Sequence, residues 1–344
     1  MKILFLGETY RADAQTWIKG IERESGVVIH TKEIPKTAGR TMRMIAAVRF
    51  LIQLALCSER FDITLAERAT SYGFFSLLVK TKIRVVAQQG ITDAFPETGL
   101  SGAYKRLLQR TTYTKVDMIH AWGYVMTYAM LASGGAPARI LVKPKGLDLD
   151  RYKFVTPSSE WKFTAIVTRS LFPIYRHSEI LDAIYLLKNE GVRLDVIMVG
   201  DGIEEEILKL KTRELELDDQ VSWIGRIPHE ELPLYLSKAQ IYIAVPETEG
   251  VSSSLFEAMA SGCFPIVTDL PANRAFIDQG HNGFLVPVGH PELLANSIKC
   301  YLNNSQLYFP GIHKNRAYVE QNCDLKTNMS SFYQTYLTLL KQRS

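Results

Sequence analysis

The stretch Ile241-Tyr-Ile-Ala-Val-Pro-Glu-Thr-Glu-Gly-Val-Ser-Ser-Ser-Leu-Phe-Glu-Ala-Met-Ala-Ser-Gly-Cys-Phe-Pro-Ile-Val267 decides the fold class. Ile241 to Val245 is an apolar run of strand length, Gly262 is a helix stop, and Cys263 to Val267 is a second apolar run. With a helix between them, the unit is strand, loop, helix, strand. In a parallel α/β sheet that loop lies at the carboxyl end of a strand, where such folds place their ligands. The helix start adds unpaired N–H groups and a positive dipole end. If it begins near Ser252, the N–H groups of Val251, Ser252 and Ser253, with Gly250 and the small hydroxyls, suit a diphosphate without a lysine.

Two carboxylates, Glu249 and Glu257, stand eight residues apart around that start. One reading keeps Glu249 in the loop beside a reacting centre and places Glu257 one and a half turns into the helix, able to accept hydrogen bonds from a ribose diol. The other makes Ser254 and Glu257 an S-x-x-E capping box, with Glu249 a solvated loop acid and a helix of Leu255 to Ser261 only. Spacing alone leaves both open.

Working outward, 344 residues suffice for two domains, and 47% hydrophobic and 22% charged residues are ordinary for a soluble globular protein. A formal charge of +4 gives no case for a nucleic-acid partner. Its distribution is uneven: Arg40, Arg43, Arg49, Lys80, Lys82, Arg84, Lys105, Arg106, Arg110 and Lys115 have few acidic neighbours. Such a surface is either simply solvated or attracted to anionic lipid or a phosphorylated acceptor.

The four cysteines form no C-x-x-C pair and read as reduced thiols of a cytoplasmic protein. Met1 to Gly7 reads as a first strand, not a signal peptide. The apolar stretch from Met44 to Cys57 is interrupted by Arg49 and Gln53 and is too short to span a bilayer, so membrane contact would be peripheral, at the inner face. Seven scattered histidines give no expectation of a metal site.

The first half alternates strands (Ile3–Leu6, Val27–His30, Asp62–Ala66, Arg84–Gln88, Val116–Ala121, Arg139–Val142) with helices (Ala14–Glu24, Thr41–Ser58, Ser71–Lys80, Ala103–Thr112, Tyr124–Ser133). In the Thr41–Ser58 helix, Met44, Ala47, Val48, Leu51, Ile52, Ala55 and Leu56 form an apolar stripe expected to bury against the sheet, the rival being a basic amphipathic helix on lipid. The second half restarts with strands Phe163–Thr168, Leu194–Val199, Val221–Ile224, Gln240–Val245, Phe264–Val267 and Gly283–Pro287. Its helices are Ser178–Asn189, Ile203–Leu215, Glu230–Lys238, Ser252–Ser261, Ala272–Asp278, Pro291–Leu302 and Lys326–Lys341. This predicts an α/β protein of two Rossmann-like, doubly wound domains, at residues 1–155 and 156–325, with a C-terminal helix at 326–344.

Gly200-Asp-Gly202 lacks the third glycine of a dinucleotide-binding turn, and no Walker, H-E-x-x-H or G-x-S-x-G motif occurs. A series of motifs in the second half resembles the retaining glycosyltransferases of family four, whose fold is called GT-B. They are Thr168-Arg-Ser-Leu-Phe-Pro-Ile-Tyr175, Val199-Gly-Asp-Gly202, Ile224-Gly-Arg226, Val245-Pro246, the Glu249 and Glu257 pair in E-x7-E spacing, Thr268-Asp-Leu-Pro-Ala-Asn-Arg274 and Asn282-Gly-Phe-Leu-Val-Pro287. Lys143-Pro-Lys-Gly-Leu-Asp148 and Gly90-Ile-Thr-Asp93 are similar to first-domain segments, so the likeness runs from about residue 85 to residue 300.

The resemblance implies two domains facing across a cleft, with a nucleoside-diphosphate sugar donor in the second and a glycan or lipid-linked acceptor on the first, in bacterial surface polysaccharide or glycolipid synthesis. It implies retention of configuration, no metal and no cofactor. By the same resemblance, Arg169 neutralises the donor diphosphate, Glu257 binds the ribose and Glu249 lies by the transferred sugar. Gly200, Arg226 and the loop of Gly250, Val251, Ser252 and Ser253 complete the donor side, and Gly7, Arg11, Gly90 and Asp93 the acceptor side. The sequence departs from the family where a lysine usually follows Arg169; Tyr175-Arg176-His177 stands there, with Arg176 the candidate replacement. Ala275 replaces a common glutamate, and the first loop is Gly7-Glu-Thr-Tyr-Arg11. A nucleotide-sugar epimerase of the same fold, or a catalytically silent binding subunit, are the alternatives.

Overall fold

The computed structural model describes residues 1–36, 39–88, 99–156 and 163–343. Gly90 and Asp93, expected on the acceptor side, lie outside the described residues. The chain divides into two compact units, residues 1–146 with 325–344, and residues 147–324. Described helices of eight or more residues are numbered in chain order.

The first unit is a six-stranded sheet in the order β2-β1-β3-β4-β5-β6. Its strands are β1 (Ile3–Leu6), β2 (His30–Lys32), β3 (Arg60–Glu67), β4 (Lys80–Gln88), β5 (Met118–Ala121) and β6 (Ile140–Val142), all pairing in parallel. Between them run α1 (Ala12–Ser25), α2 (Arg40–Leu56), α3 (Leu100–Lys115) and α4 (Tyr124–Ala132). β1 and β5 are buried throughout, as strands covered by helices on both faces must be. The order changes direction between β1 and β3, so Gly7 and the segment after Glu67 sit at its switch point.

The second unit has the order β12-β11-β10-β7-β8-β9, again all parallel. Its strands are β7 (Thr164–Val167), β8 (Asp195–Val199), β9 (Val221–Gly225), β10 (Ile241–Ala244), β11 (Phe264–Thr268) and β12 (Phe284–Val286). Its helices are α5 (His177–Asn189), α6 (Glu205–Glu214), α7 (Ser253–Ser261), α8 (Pro291–Asn304) and α9 (Phe309–Asn322). The order reverses between β7 and β10, the first and fourth strands of the unit, as in Rossmann folds.

α10 (Leu325–Arg343) belongs to the first unit. Tyr336 Oη lies 2.7 Å from His120 Nε2 and accepts from Trp17 Nε1 at 3.3 Å, among the rings of Trp122 and Phe332.

Four expectations are corrected. The boundary falls at 146/147 rather than 155/156, because Leu147 N–H donates to Cys323 O at 2.7 Å and Tyr152 is buried in the second unit's core. The expected Ser71–Lys80 helix stops at Phe75 and passes through a 3₁₀ turn, and Lys80 opens β4, because the sheet pairs Arg60 with Lys80. α9 was not foreseen: its face of Ile312, Asn315 and Val319 is split by a buried asparagine that bonds Asn282 through both amide atoms.

The stripe expected to bury along α2 does not: Met44, Val48, Ile52 and Leu56 are 53–79% exposed, whereas Phe50 and Leu54 are buried. Phe50 packs edge-on against Tyr72 and Phe75, so the narrower aromatic-bearing face turned inward and the wider aliphatic face stayed in solvent.

Candidate functional site

The candidate site lies at the switch point of the second unit, where loops leave the carboxyl ends of β7, β8, β9 and β10. Ser252 is the N-cap of α7, its hydroxyl accepting from Leu255 N–H at 3.2 Å. This settles the capping question: Ser254 is not the cap, no capping box forms with Glu257, and the helix keeps nine residues. With the cap at Ser252, the N–H groups lacking intrahelical partners shift one residue along, to Ser252, Ser253 and Ser254. α7 ends at Gly262, whose φ of 91° is the left-handed conformation of a C-cap glycine.

Arg169 follows β7 and reaches the start of that helix. Its Nη2 donates to Glu249 Oε2 at 2.7 Å, and its Nη1 to Ser252 Oγ at 3.2 Å and Ser254 Oγ at 3.5 Å. The guanidinium lies 4.5 Å from the centre of the Tyr175 ring. Burial works against this cation, yet the Glu249 carboxylate and nearby tyrosines outweigh it and raise its pKa. Glu249 is held from the other side by the N–H of Gly250, which donates to Oε1 at 3.1 Å. Two of the predicted residues, Arg169 and Glu249, therefore form one partly buried pair at the amino end of α7.

Gly200 has a φ of 141°, and a Cβ there would stand 2.4 Å from Arg169 O. One at Gly202 would stand 2.2 Å from Leu171 O. Leu171 N–H donates to Asp201 O at 2.8 Å, and Gly200 N–H to Gly225 O at 2.9 Å. The Gly-Asp-Gly turn is thus a clasp that seats the Arg169 loop against the loops after β8 and β9. Beside it opens a cavity of about 200 Å³ lined in part by Arg169, Gly200, Arg226, Ile227, His229 and Leu232.

Glu257 is almost wholly buried and accepts two hydrogen bonds on Oε1, from Tyr152 Oη at 3.1 Å and His229 Nε2 at 2.8 Å. The bond to Glu257 raises the His229 pKa against the opposing effect of burial. Burial, then the same carboxylate, drives the Tyr152 hydroxyl upward. Neither His229 nor Tyr152 was singled out in the sequence. Arg226-Ile-Pro-His229 and the aromatic four residues after Asp148 carry no spacing that marks them, because their partner is 28 and 105 residues away.

The remaining expected residues divide. Arg226 lines the cavity but is largely exposed, 3.9 Å from Asp201. Val251 and Ser253 stand at the start of α7 as expected. Arg176 is in the left-handed conformation at the N-cap of α5, with its guanidinium paired to Glu179 and Glu247, and is not among the cavity-lining residues. Tyr175, not Arg176, stacks on Arg169.

In the first unit, Gly7 has no room for a side chain: a Cβ would meet Phe5 at 2.6 Å and Glu67 Oε2 at 2.7 Å. Arg11 pairs with Asp13 at 3.2 Å and Glu8 at 3.5 Å, and Glu8 also pairs with Arg68. Among the described residues no group of three or more His, Cys, Asp or Glu side chains suits a metal.

The family model for glycosyl transferases group 1 matches residues 148–322, about half of the chain. The amylovoran biosynthesis glycosyltransferase AmsK of Erwinia amylovora is 30% identical over 121 residues, 33% of this chain and 30% of that protein. The GtfA subunit of the UDP-N-acetylglucosamine–peptide N-acetylglucosaminyltransferase of Streptococcus gordonii is 26% identical over 254 residues, 70% of this chain and 48% of that one. The chain spans 24–48% of the length of the first curated relatives it matches. Anabaena Alr3699/HepE, solved with UDP and glucose, shares the fold with a TM-score of 0.75 at 16% identity, over 98% of this chain and 100% of that one. The Arg169 loop, the Gly-Asp-Gly clasp and the Glu249 and Glu257 pair all lie inside the matched region, and the chain belongs to the glycosyl transferases group 1 family, with its two-domain GT-B fold.

Proposed function

We propose that this protein transfers a sugar from a nucleoside-diphosphate sugar to a glycan or lipid-linked acceptor, with retention of anomeric configuration and without a metal or cofactor. The observation that carries the reading is Arg169, a partly buried cation at the amino end of α7 and at the switch point of the second unit. Departure of a nucleoside diphosphate builds negative charge where that guanidinium and the first N–H groups of α7 stand, which lowers the barrier electrostatically. Arginine suits the task because its five donors outnumber its three contacts to Glu249, Ser252 and Ser254. Glu257 takes the ribose, Glu249 lies by the transferred sugar while orienting Arg169, and the adjoining cavity receives the base. The UDP and glucose of the Anabaena protein and the amylovoran biosynthesis in the name of the Erwinia relative support the reading of a nucleotide-sugar donor and a glycan acceptor.

The test is a thermal-shift screen of nucleoside diphosphates and their sugars, followed by kinetics of Arg169→Ala with the donor that binds. Turnover should fall by about 100-fold or more, with a smaller change in donor affinity. Equal losses in both would reduce Arg169 to a binding contact, and isomerisation of donor incubated alone would make the enzyme an epimerase. NMR of the product anomer decides retention.

A specific observation favours a lipid-linked acceptor at a cytoplasmic membrane face. α2 exposes Met42, Met44, Ile45, Val48, Ile52 and Leu56 together, and its seventeen residues include three arginines and no acid. Such a helix suits an anionic surface. The protein should float with vesicles containing anionic phospholipid at low salt, and Val48→Glu with Ile52→Glu should abolish flotation; unchanged flotation of that variant would remove α2 from the contact.

A further inference from the structure

His229 lines the cavity and also bonds the buried Glu257 carboxylate. Its side chain is 56% exposed, against 7% for Glu257, and it forms part of the cavity wall beside Arg226, Ile227 and Leu232. The hydrogen bonds of Glu257 converge on one oxygen: His229 Nε2 at 2.8 Å and Tyr152 Oη at 3.1 Å both meet Oε1, and they lie 3.4 Å from each other. Oε2 has no hydrogen-bond partner among the described residues. Two hydrogen bonds on one oxygen restrict rotation about the carboxylate's last torsion, and so narrow the directions the other oxygen can take. Burying this acid also requires compensation, which His229 and Tyr152 supply.

We propose that His229 is a positioning residue for the donor nucleotide: it grips Glu257 so that Oε2 is aimed at the ribose, and its protonation state sets nucleotide affinity. The inference rests on the donor-site reading of Glu257. A protonated ring makes a charge-assisted bond to Oε1 and places a positive charge beside an anionic ligand; a neutral ring makes the weaker bond and adds no charge. The charged and titratable groups acting on the ring are Glu257, Arg151 and Glu230, with Tyr152 in contact and Asp201 and Arg226 on the same cavity wall. The bond to Glu257, the largest influence, raises the His229 pKa, so the protonated form extends above the usual histidine range. Affinity is therefore greatest at low pH and declines as pH rises through that raised value.

The experiment is calorimetry of UDP-glucose and GDP-mannose, whose diphosphates are diesters without a titration in this range, against the full chain from about pH 5.5 to 8.5. Wild type should lose affinity by about five-fold or more across the range. His229→Gln, which keeps an N–H for Oε1 but does not titrate, should bind with a flat profile; His229→Ala should be flat and weaker than His229→Gln. A second readout needs no ligand: the His229 ring proton should titrate above the ordinary histidine value, and in Glu257→Gln, where burial and Arg151 act without the opposing carboxylate, it should fall to that value or below it. A flat wild-type profile, or a His229→Gln profile parallel to wild type, overturns this proposal while leaving the donor site intact. Binding of neither sugar nucleotide by wild type, when the wider screen also finds no nucleotide, overturns the donor reading and this proposal with it.

Discussion

At the scale of single residues, the site is a set of close approaches that tolerate little substitution. Gly200 shows this most directly. An alanine would carry a Cβ 2.4 Å from Arg169 O at a φ that side chains rarely adopt, so the Arg169 loop would have to move. Gly200→Ala should lower unfolding free energy by about 2 kcal/mol or more in chemical denaturation and reduce turnover through the displaced guanidinium; unchanged stability would mean the clasp is looser than these distances imply. Glu257→Ala should weaken nucleotide binding by about 1.5–3 kcal/mol, the worth of a charge-assisted hydrogen bond, measured by calorimetry. Both effects depend on contacts between residues far apart in the chain, and neither glycine nor acid advertises its partner. In sequence, Gly200 reads as an incomplete phosphate-binding turn, whereas in space its work is loop packing.

At the scale of elements, α7 joins structure to chemistry through its cap. Ser252 closes the helix by accepting from Leu255 N–H and also receives Arg169, so one hydroxyl serves both. Ser252→Ala should cost about 1 kcal/mol for the lost cap, and the cation beside it should lose registration, so kcat should fall more than stability alone explains. Ser252→Gly, a tolerated cap without the hydroxyl, should restore most of the stability but not the activity, as read by denaturation and rate together. The existence of most strands could be read from apolar runs, because a parallel strand buried on both faces leaves an unmistakable local composition. The inward face of α2 could not. Its apolar residues surround most of the helix, and it is the rings of Tyr72 and Phe75 that receive Phe50, on the face where Leu54 is also buried.

At the scale of the whole chain, the C-terminal segment completes the first unit's core. His120 is fully buried between Trp122, Phe332 and Tyr336, and burial, aided by the Lys145 charge, pushes its pKa down to about 3. An unfolded histidine titrates near pH 6.5, so the neutral buried ring contributes stability that is fully present above about pH 6.5 and is lost as pH falls toward 3. Denaturation at about pH 7 and pH 4 should show the loss, and His120→Phe should make the difference between the two smaller. Tyr336→Phe should cost about 1–3 kcal/mol at neutral pH, since it removes the acceptor for Trp17 Nε1 and the partner of His120. Equal stability of that variant would show that water replaces the hydroxyl.

The sequence by itself determined the class of fold, two successive alternations of strand and helix, and a loop-to-helix junction next to Ser252 at the carboxyl end of a parallel strand. These follow from local composition and from the geometry of a strand leading into a helix, which each segment carries within itself. The tertiary structure alone decided that Ser252 rather than Ser254 caps α7, that Arg169 pairs with Glu249 over a tyrosine ring, and that Glu257 is held by His229 and Tyr152. It also placed the first boundary at residue 146, because Leu147 bonds to Cys323. Hydrogen bonds and ion pairs between distant residues depend on strand order, which sets which loops emerge side by side. The reversal between β7 and β10 brings Arg169 to Glu249, across eighty residues of chain.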